Sequence, residues 1–198
     1  MKTFPALRRL TLPVILLVAA LCLLQPAAAN IDEKATAPVP APSPITTVFL
    51  VRHAEKAETP AEDPPLNDEG RWRAQVLAHT LGKAGIKAIY TSQFLRTKQT
   101  AEPLATQLGI TPTVMKLRPS PTNPREIAPD AILAIVTDIQ QRHAGEAVLV
   151  VGHTNSVPPV IRMLRSDVVP AIDEQTFDNL FVLTIHRLEV AKLVQLKY

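Results

Sequence analysis

Cysteine is nearly missing from this chain of 198 residues, since Cys22 is the only one. It lies in an apolar N-terminal stretch, so the remainder offers no disulfide, thiol nucleophile or cysteine metal ligand. Acidic residues are missing from the first 29 positions, where Lys2, Arg8 and Arg9 precede an apolar run, Leu10 to Leu24, and then "QPAAAN". This pattern predicts an export signal cleaved after Ala29, and hence a periplasmic or secreted protein. A long apolar run is missing too: this one is interrupted by Pro13 and is shorter than the roughly 20 residues a bilayer-spanning helix takes. Membrane contact is expected only through this segment, if it stays uncleaved. The three basic residues in the leader account for the surplus of 21 basic over 18 acidic residues. The mature chain is therefore near neutral, without the basic excess that marks nucleic-acid binding. No internal repeat is visible.

Residues 30–45 contain "ATAPVPAPSP", rich in Pro and Ala, which suits an extended tether. The spacing predicts a single domain over 46–198, in which strand-like and helix-like segments alternate. Thr46 to Arg52 is a nearly continuous apolar run, as expected of a strand covered on both faces. "LNDEGRWRAQVLAHTLGKAG" reads as a helix capped by Asn67 or Asp68 and closed by Gly85. "KAIYTS" is a second strand ending at Ser92, and "RTKQTAEPLATQLG" a helix stopped by Gly109. A short strand at Thr113 to Leu117 and a proline-punctuated loop follow. The next helix, "PDAILAIVTDIQQRHAG", places Ile132, Ile135, Val136 and Ile139 on one face. "AVLVVG" is a buried strand, "NSVPPVIRMLR" a helix, and the C-terminus gives two antiparallel strands. The expectation is a three-layer α/β/α sandwich around a mainly parallel sheet.

Three loops follow predicted strands and carry the chemistry: Arg52 and His53, then Arg96, then His153. In open α/β sheets ligands bind beyond the carboxyl ends of the strands, so these residues should share one crevice. Two guanidiniums and two imidazoles without a carboxylate repel one another unless an anion sits among them. A phosphate dianion has the matching charge, arginine can grip two of its oxygens, and a neutral imidazole nitrogen can take its phosphoryl group.

The segments "LVRHAEK", "YTSQFLRTKQTAEPLA" and "VVGHTNSVP", in this order, resemble the three signatures of the histidine phosphatase superfamily, the phosphoglycerate mutase-like family, over about Thr46 to Leu164. The resemblance implies the phosphoglycerate mutase-like fold and makes His53 the nucleophile that becomes phosphohistidine. It makes Arg52, Arg96 and His153 the phosphate-binding residues, with no cofactor and no metal. Hydrolysis of a small phosphorylated substrate, a phosphomonoester, is the implied activity. Mutase activity is disfavoured by the export signal and a short lid region. The mutases' Glu-bearing insertion is lacking, and Thr154 stands where the phytase branch has Asp. The general acid is therefore open: Glu55, two residues from His53, is the first candidate, and Asp63, Asp173 and Glu174 follow. Two rivals are a silent member that binds phosphorylated envelope ligands and a protein phosphohistidine phosphatase.

Other polar residues have plainer readings. His79, His143 and His186 carry no motif and are expected to pack or be solvated. Arg71, Trp72 and Arg73 read as helix surface, although they could form a substrate lip, and Lys56 is ambiguous. A zinc site from His53, His153 and Glu55 is opposed by the two adjacent arginines. Specificity is expected from the loops Glu55 to Leu66, Pro112 to Pro129 and Ser166 to Asn179.

Overall fold

The computed structural model describes residues 44–186 and 191–198. The predicted signal, and all but the last two residues of the predicted linker, lie outside them. Six strands form one sheet: β1 (Thr46–Arg52), β2 (Ile86–Ser92), β3 (Thr113–Met115), β4 (Ala147–Gly152), β5 (Asn179–Ile185) and β6 (Lys192–Lys197). Their order is β3-β2-β4-β1-β5-β6. β1, β4, β2 and β3 run parallel, while β5 and β6 add on antiparallel. The sheet is thus mixed, with a parallel centre.

Four helices cover it: α1 (Asp68–Leu81), α2 (Leu95–Leu108), α3 (Pro129–Arg142) and α4 (Val157–Met163). Alternate residues of the buried strands serve opposite layers, because successive side chains leave a strand on opposite faces. Val48, Leu50, Tyr90, Val148 and Val150 pack with Ile132, Ile135, Val136 and Ile139 of α3 and with Val160 and Ile161 of α4. Val51, Ile89, Leu149 and Val151 pack with Leu77 and Leu81 of α1 and with Ala101 and Leu104 of α2. Continuous apolar strands are what this two-sided burial demands, so the three-layer expectation holds.

Three boundaries differ from the sequence reading, each for a local reason. α1 stops at Leu81 with Gly82 as its cap, and Gly85, at φ +72°, instead makes the left-handed turn into β2. β3 ends at Met115 rather than Leu117, because both main-chain groups of Leu117 are taken by the Gln93 side chain, at 2.9 and 2.7 Å. α4 begins at Val157, because the Ser156 and Val157 amides both bond back to the His153 carbonyl and form a turn first.

Candidate active site

Strand topology brings His53, Arg96 and His153 to one cavity, while Arg52, at the end of β1, lies outside its lining. Arg52 ends β1 opposite Gly152 at the end of β4, so His53 and His153 each follow one of two paired, parallel strands. Neighbouring strands lie about 4.8 Å apart, and the two imidazole centroids are accordingly 5.2 Å apart. β2, on the other side of β4, ends at Ser92, and Arg96 lies in the first turn of the helix that follows. His53, Arg96 and His153 line one cavity of about 330 Å³, with Lys56, Phe94, Thr154 and Asn155 and part of the segment 117–127. Larger hollows beside α2, of about 550 and 680 Å³, hold no histidine.

Each ring has a defined hydrogen-bond partner. His53 Nδ1 lies 2.8 Å from the Ala54 carbonyl oxygen, which can only accept, so Nδ1 carries the proton and Nε2 keeps its lone pair. The Ala54 amide is itself fixed by Thr100 Oγ1 of α2 at 2.9 Å, so α2 holds the main chain beside the histidine. His153 Nε2 lies 2.9 Å from Ser92 Oγ, which is 2.8 Å from Thr97 Oγ1. Thr97 has one proton and gives it to a carbonyl, Phe94 at 2.9 Å or Ser92 at 3.2 Å. Ser92 must then donate to Thr97, and His153 Nε2 must donate to Ser92. The neutral His153 therefore keeps its lone pair on Nδ1.

Burial is the main reason both imidazoles stay neutral. It pushes His53 down to about 3, with the charges of Arg52, Arg96 and Lys56 adding to it. His153 is likewise lowered to about 3 by burial, then by His53, Arg96 and Arg52.

The two arginines are held differently. Arg52 Nη1 donates to the main-chain carbonyls of Glu174 (2.5 Å), Asp173 (3.1 Å) and Thr176 (3.4 Å), tying the loop before β5 to the end of β1. Its guanidinium lies 4.1 Å from the centre of the Phe177 ring. Arg96 lies 4.4 Å from the Phe94 ring centre, and its Nη1 is 3.7 Å from Asp63 Oδ1. The same Asp63 oxygen accepts from the Leu95 amide at 2.9 Å, capping a helix whose own N-cap, Phe94, has no side-chain acceptor. Burial lowers both arginines from their ordinary value, but a guanidinium so shifted is still cationic at neutral pH. Among the described residues, Arg52 Nε and Arg96 Nε are buried donors without a partner. Such groups cost free energy unless something fills the site.

Glu55, the first-ranked acid, is not brought to the cavity, and the structure corrects that expectation. Arg73 grips its carboxylate through Nε, at 2.8 and 2.9 Å, and through Nη2 at 2.6 Å. Both side chains are largely buried, and Arg73 is raised by that bond. Gly70 lets α1 approach this point: a β-carbon there would lie 2.1 Å from the Glu55 carbonyl oxygen. Arg73 is thus an internal partner rather than a substrate lip, while Trp72 is exposed and outside the cavity lining. The zinc reading loses its carboxylate for the same reason. Among the described residues no group of three or more His, Cys, Asp or Glu is placed to hold a metal. His143 pairs with Glu146 at 2.8 Å and His79 is exposed. Ser92, Thr97 and Thr100 were missed in the sequence. Their only signal was position, at the end of β2 and in the first and second turns of the helix that carries "RTKQT".

The central parallel strands of a mixed sheet thus lead into two histidines, with Arg52 and Arg96 beside them, in an α/β protein. A family model described as "Histidine phosphatase superfamily (branch 1)" matches residues 48–117, so over this stretch the chain is similar to that superfamily. The fold is similar to the protein histidine phosphatase SixA complexed with tungstate, at 22% identity and TM-score 0.59, covering 76% of this chain and 96% of that one. It is also similar to the mycobacterial glucosyl-3-phosphoglycerate phosphatase, at 16% identity and TM-score 0.58, covering 78% and 98%. A third likeness is to Bacillus stearothermophilus YhfR, at 21% identity and TM-score 0.53, covering 70% and 90%. Among curated proteins no sequence match is found.

Proposed function

We propose that this protein is an exported phosphatase that passes a phosphoryl group from a small phosphomonoester to His53 and then to water. The observation that carries the reading is the pair of buried, unpartnered Nε donors on Arg52 and Arg96 beside two neutral histidines. In the first step the Nε2 lone pair of His53 forms an N–P bond as the P–O bond to the leaving group breaks, and the electron pair departs with the leaving group. In the second step a water oxygen attacks phosphorus, the N–P bond breaks and His53 regains its lone pair, while the water's protons leave on the oxygens of the released phosphate or pass to solvent. Arg52 and Arg96 stabilise the charge on the equatorial oxygens throughout. Phosphatases among the similar structures support hydrolysis over mutase chemistry, and the N-terminal pattern supports export.

No Asp or Glu belongs to the described lining of the cavity. Asp63 is engaged by Leu95 and Arg96, and the Asp173 side chain caps the Gln175 amide at 2.7 Å. This favours leaving groups that depart with little protonation, which keeps a protein phosphohistidine phosphatase as the second reading. The test is turnover of p-nitrophenyl phosphate by the purified domain, with acid-labile phosphate trapped on the protein after quenching. The expected result is turnover and trapping in the wild type and neither in His53→Ala. Equal inactivity of both on a broad panel of phosphates would transfer the assignment to a silent phosphate-binding member.

A further inference from the structure

The cavity is longer in chemistry than phosphoryl transfer needs. At its inner end are the two histidines and Arg96; at its mouth are Lys56 and Arg118, with Thr154 and Asn155 at the side. The lining also holds apolar Phe94, Leu117, Pro119, Pro124 and Ile127; Phe94 stacks at the histidine end, and Pro119 and Pro124 are exposed. Arg118 is neutralised by Asp130. Lys56 has no carboxylate within ion-pair distance among the described residues. It is exposed at the mouth, yet its charge is among those that hold His53 neutral, so its field reaches the reacting end. Its position is fixed by the main chain: Lys56 bridges to Leu66 across the loop, and the neighbouring Ala57 amide bonds to the Pro65 carbonyl at 2.8 Å. Leu66 is in turn buried against Ala54 and Ala74. Lys56 therefore extends from a braced main chain three residues after His53.

We infer that the mouth is a subsite for a second anionic group on the substrate, with Lys56 as the residue that selects it. The substrate class is a small molecule with a phosphoryl group at one end, a short apolar or flat middle, and a carboxylate or second phosphate at the other. The inference rests on the phosphatase reading, since it takes the inner end as the place of the transferred group. The physical argument is one of charge. The cation at the inner end, Arg96, would be balanced by the transferred phosphate itself, whereas no carboxylate among the described residues is paired with Lys56. A cation close to a low-dielectric wall attracts an anion more strongly than one in bulk water.

The test separates the subsite from the chemistry by measuring binding in His53→Ala, which lacks the nucleophile. Two probes are compared by calorimetry: 4-(carboxymethyl)phenyl phosphate and its neutral isostere, 4-(carbamoylmethyl)phenyl phosphate. The carboxylate should bind about fivefold more tightly, the size expected of one partly exposed ion pair. Adding Lys56→Gln should bring the ratio of the two affinities close to one, and Lys56→Arg should keep it. Equal affinities in the His53→Ala parent, or a ratio that survives Lys56→Gln, overturns the subsite. Absence of turnover in the wild type together with no binding of either probe overturns the phosphatase reading, and the subsite with it. Binding of the isostere by the Lys56→Gln protein shows that the substitution has not unfolded the site.

Discussion

Two groups of arginines sit close together in this molecule and live under opposite rules. Arg73, on α1, is matched by a buried carboxylate that it grips at three short distances. Arg52 and Arg96, at the ends of β1 and α2, have main-chain carbonyls, aromatic faces and one half-exposed carboxylate for company, and keep buried Nε donors without partners. Accordingly Arg73 is raised from its ordinary value by the Glu55 bond, while the other two are lowered by burial. The satisfied arginine belongs to the scaffold. The other two keep Nε donors that the scaffold leaves unpaired, and on the proposed function a phosphate would take them up.

The comparison can be broken most sharply at the nucleophile. His53→Ala should lower turnover of an aryl phosphate by at least about 10³-fold and abolish trapped phosphohistidine, since no other imidazole in the cavity offers an outward Nε2 lone pair. Next come the arginines themselves. Arg96→Met should cost about 10²- to 10³-fold in kcat/KM with little loss of unfolding free energy. Arg73→Met should do the reverse: about 3 kcal/mol less stable, because it strands a buried Glu55, with a much smaller kinetic effect. Denaturant unfolding beside steady-state kinetics on both variants decides the matter. Similar stability losses in both would erase the distinction.

Anion binding sharpens the contrast further. Tungstate at about 100 times its dissociation constant should stabilise the wild type by about 2.7 kcal/mol and leave Arg96→Met nearly unmoved. At neutral pH its binding should also take up protons, seen as a buffer-dependent calorimetric enthalpy, because His153 can donate through Nδ1 only after it is protonated. The two histidines add a pH-dependent effect. Their folded pKa values near 3 lie below the unfolded value of about 6.5. Between those limits the unfolded chain binds more protons than the native one, so stability should fall as pH is lowered from about 6.5 towards 3. Double substitution of His53 and His153 by Gln should flatten that slope. The smallest change is expected from Asp63→Asn, a few-fold in KM, since it weakens the cap of α2 and the tether on Arg96 without touching the phosphoryl group.

Much of this was legible from the chain. Apolar strand runs, glycine stops and the three loops that carry Arg52, His53, Arg96 and His153 are local patterns, and strand adjacency then fixes the geometry. Glu55 shows where such reading fails. Its closeness to His53 in sequence suggested a proton donor, but successive residues after a strand can point in different directions, and this one turns to α1. Ser92, Thr97 and Thr100 escaped notice because a hydroxyl that sets a histidine's tautomer looks, in sequence, like any other hydroxyl.

The sequence by itself determined the layers, the sheet with its parallel centre and the four residues at its carboxyl edge, because periodicity and strand ends are properties of short segments. Only the tertiary structure decided which charges are paired. Whether an arginine meets Glu55, a main-chain carbonyl or an aromatic face depends on segments tens to more than a hundred residues apart, which only the packed fold brings together.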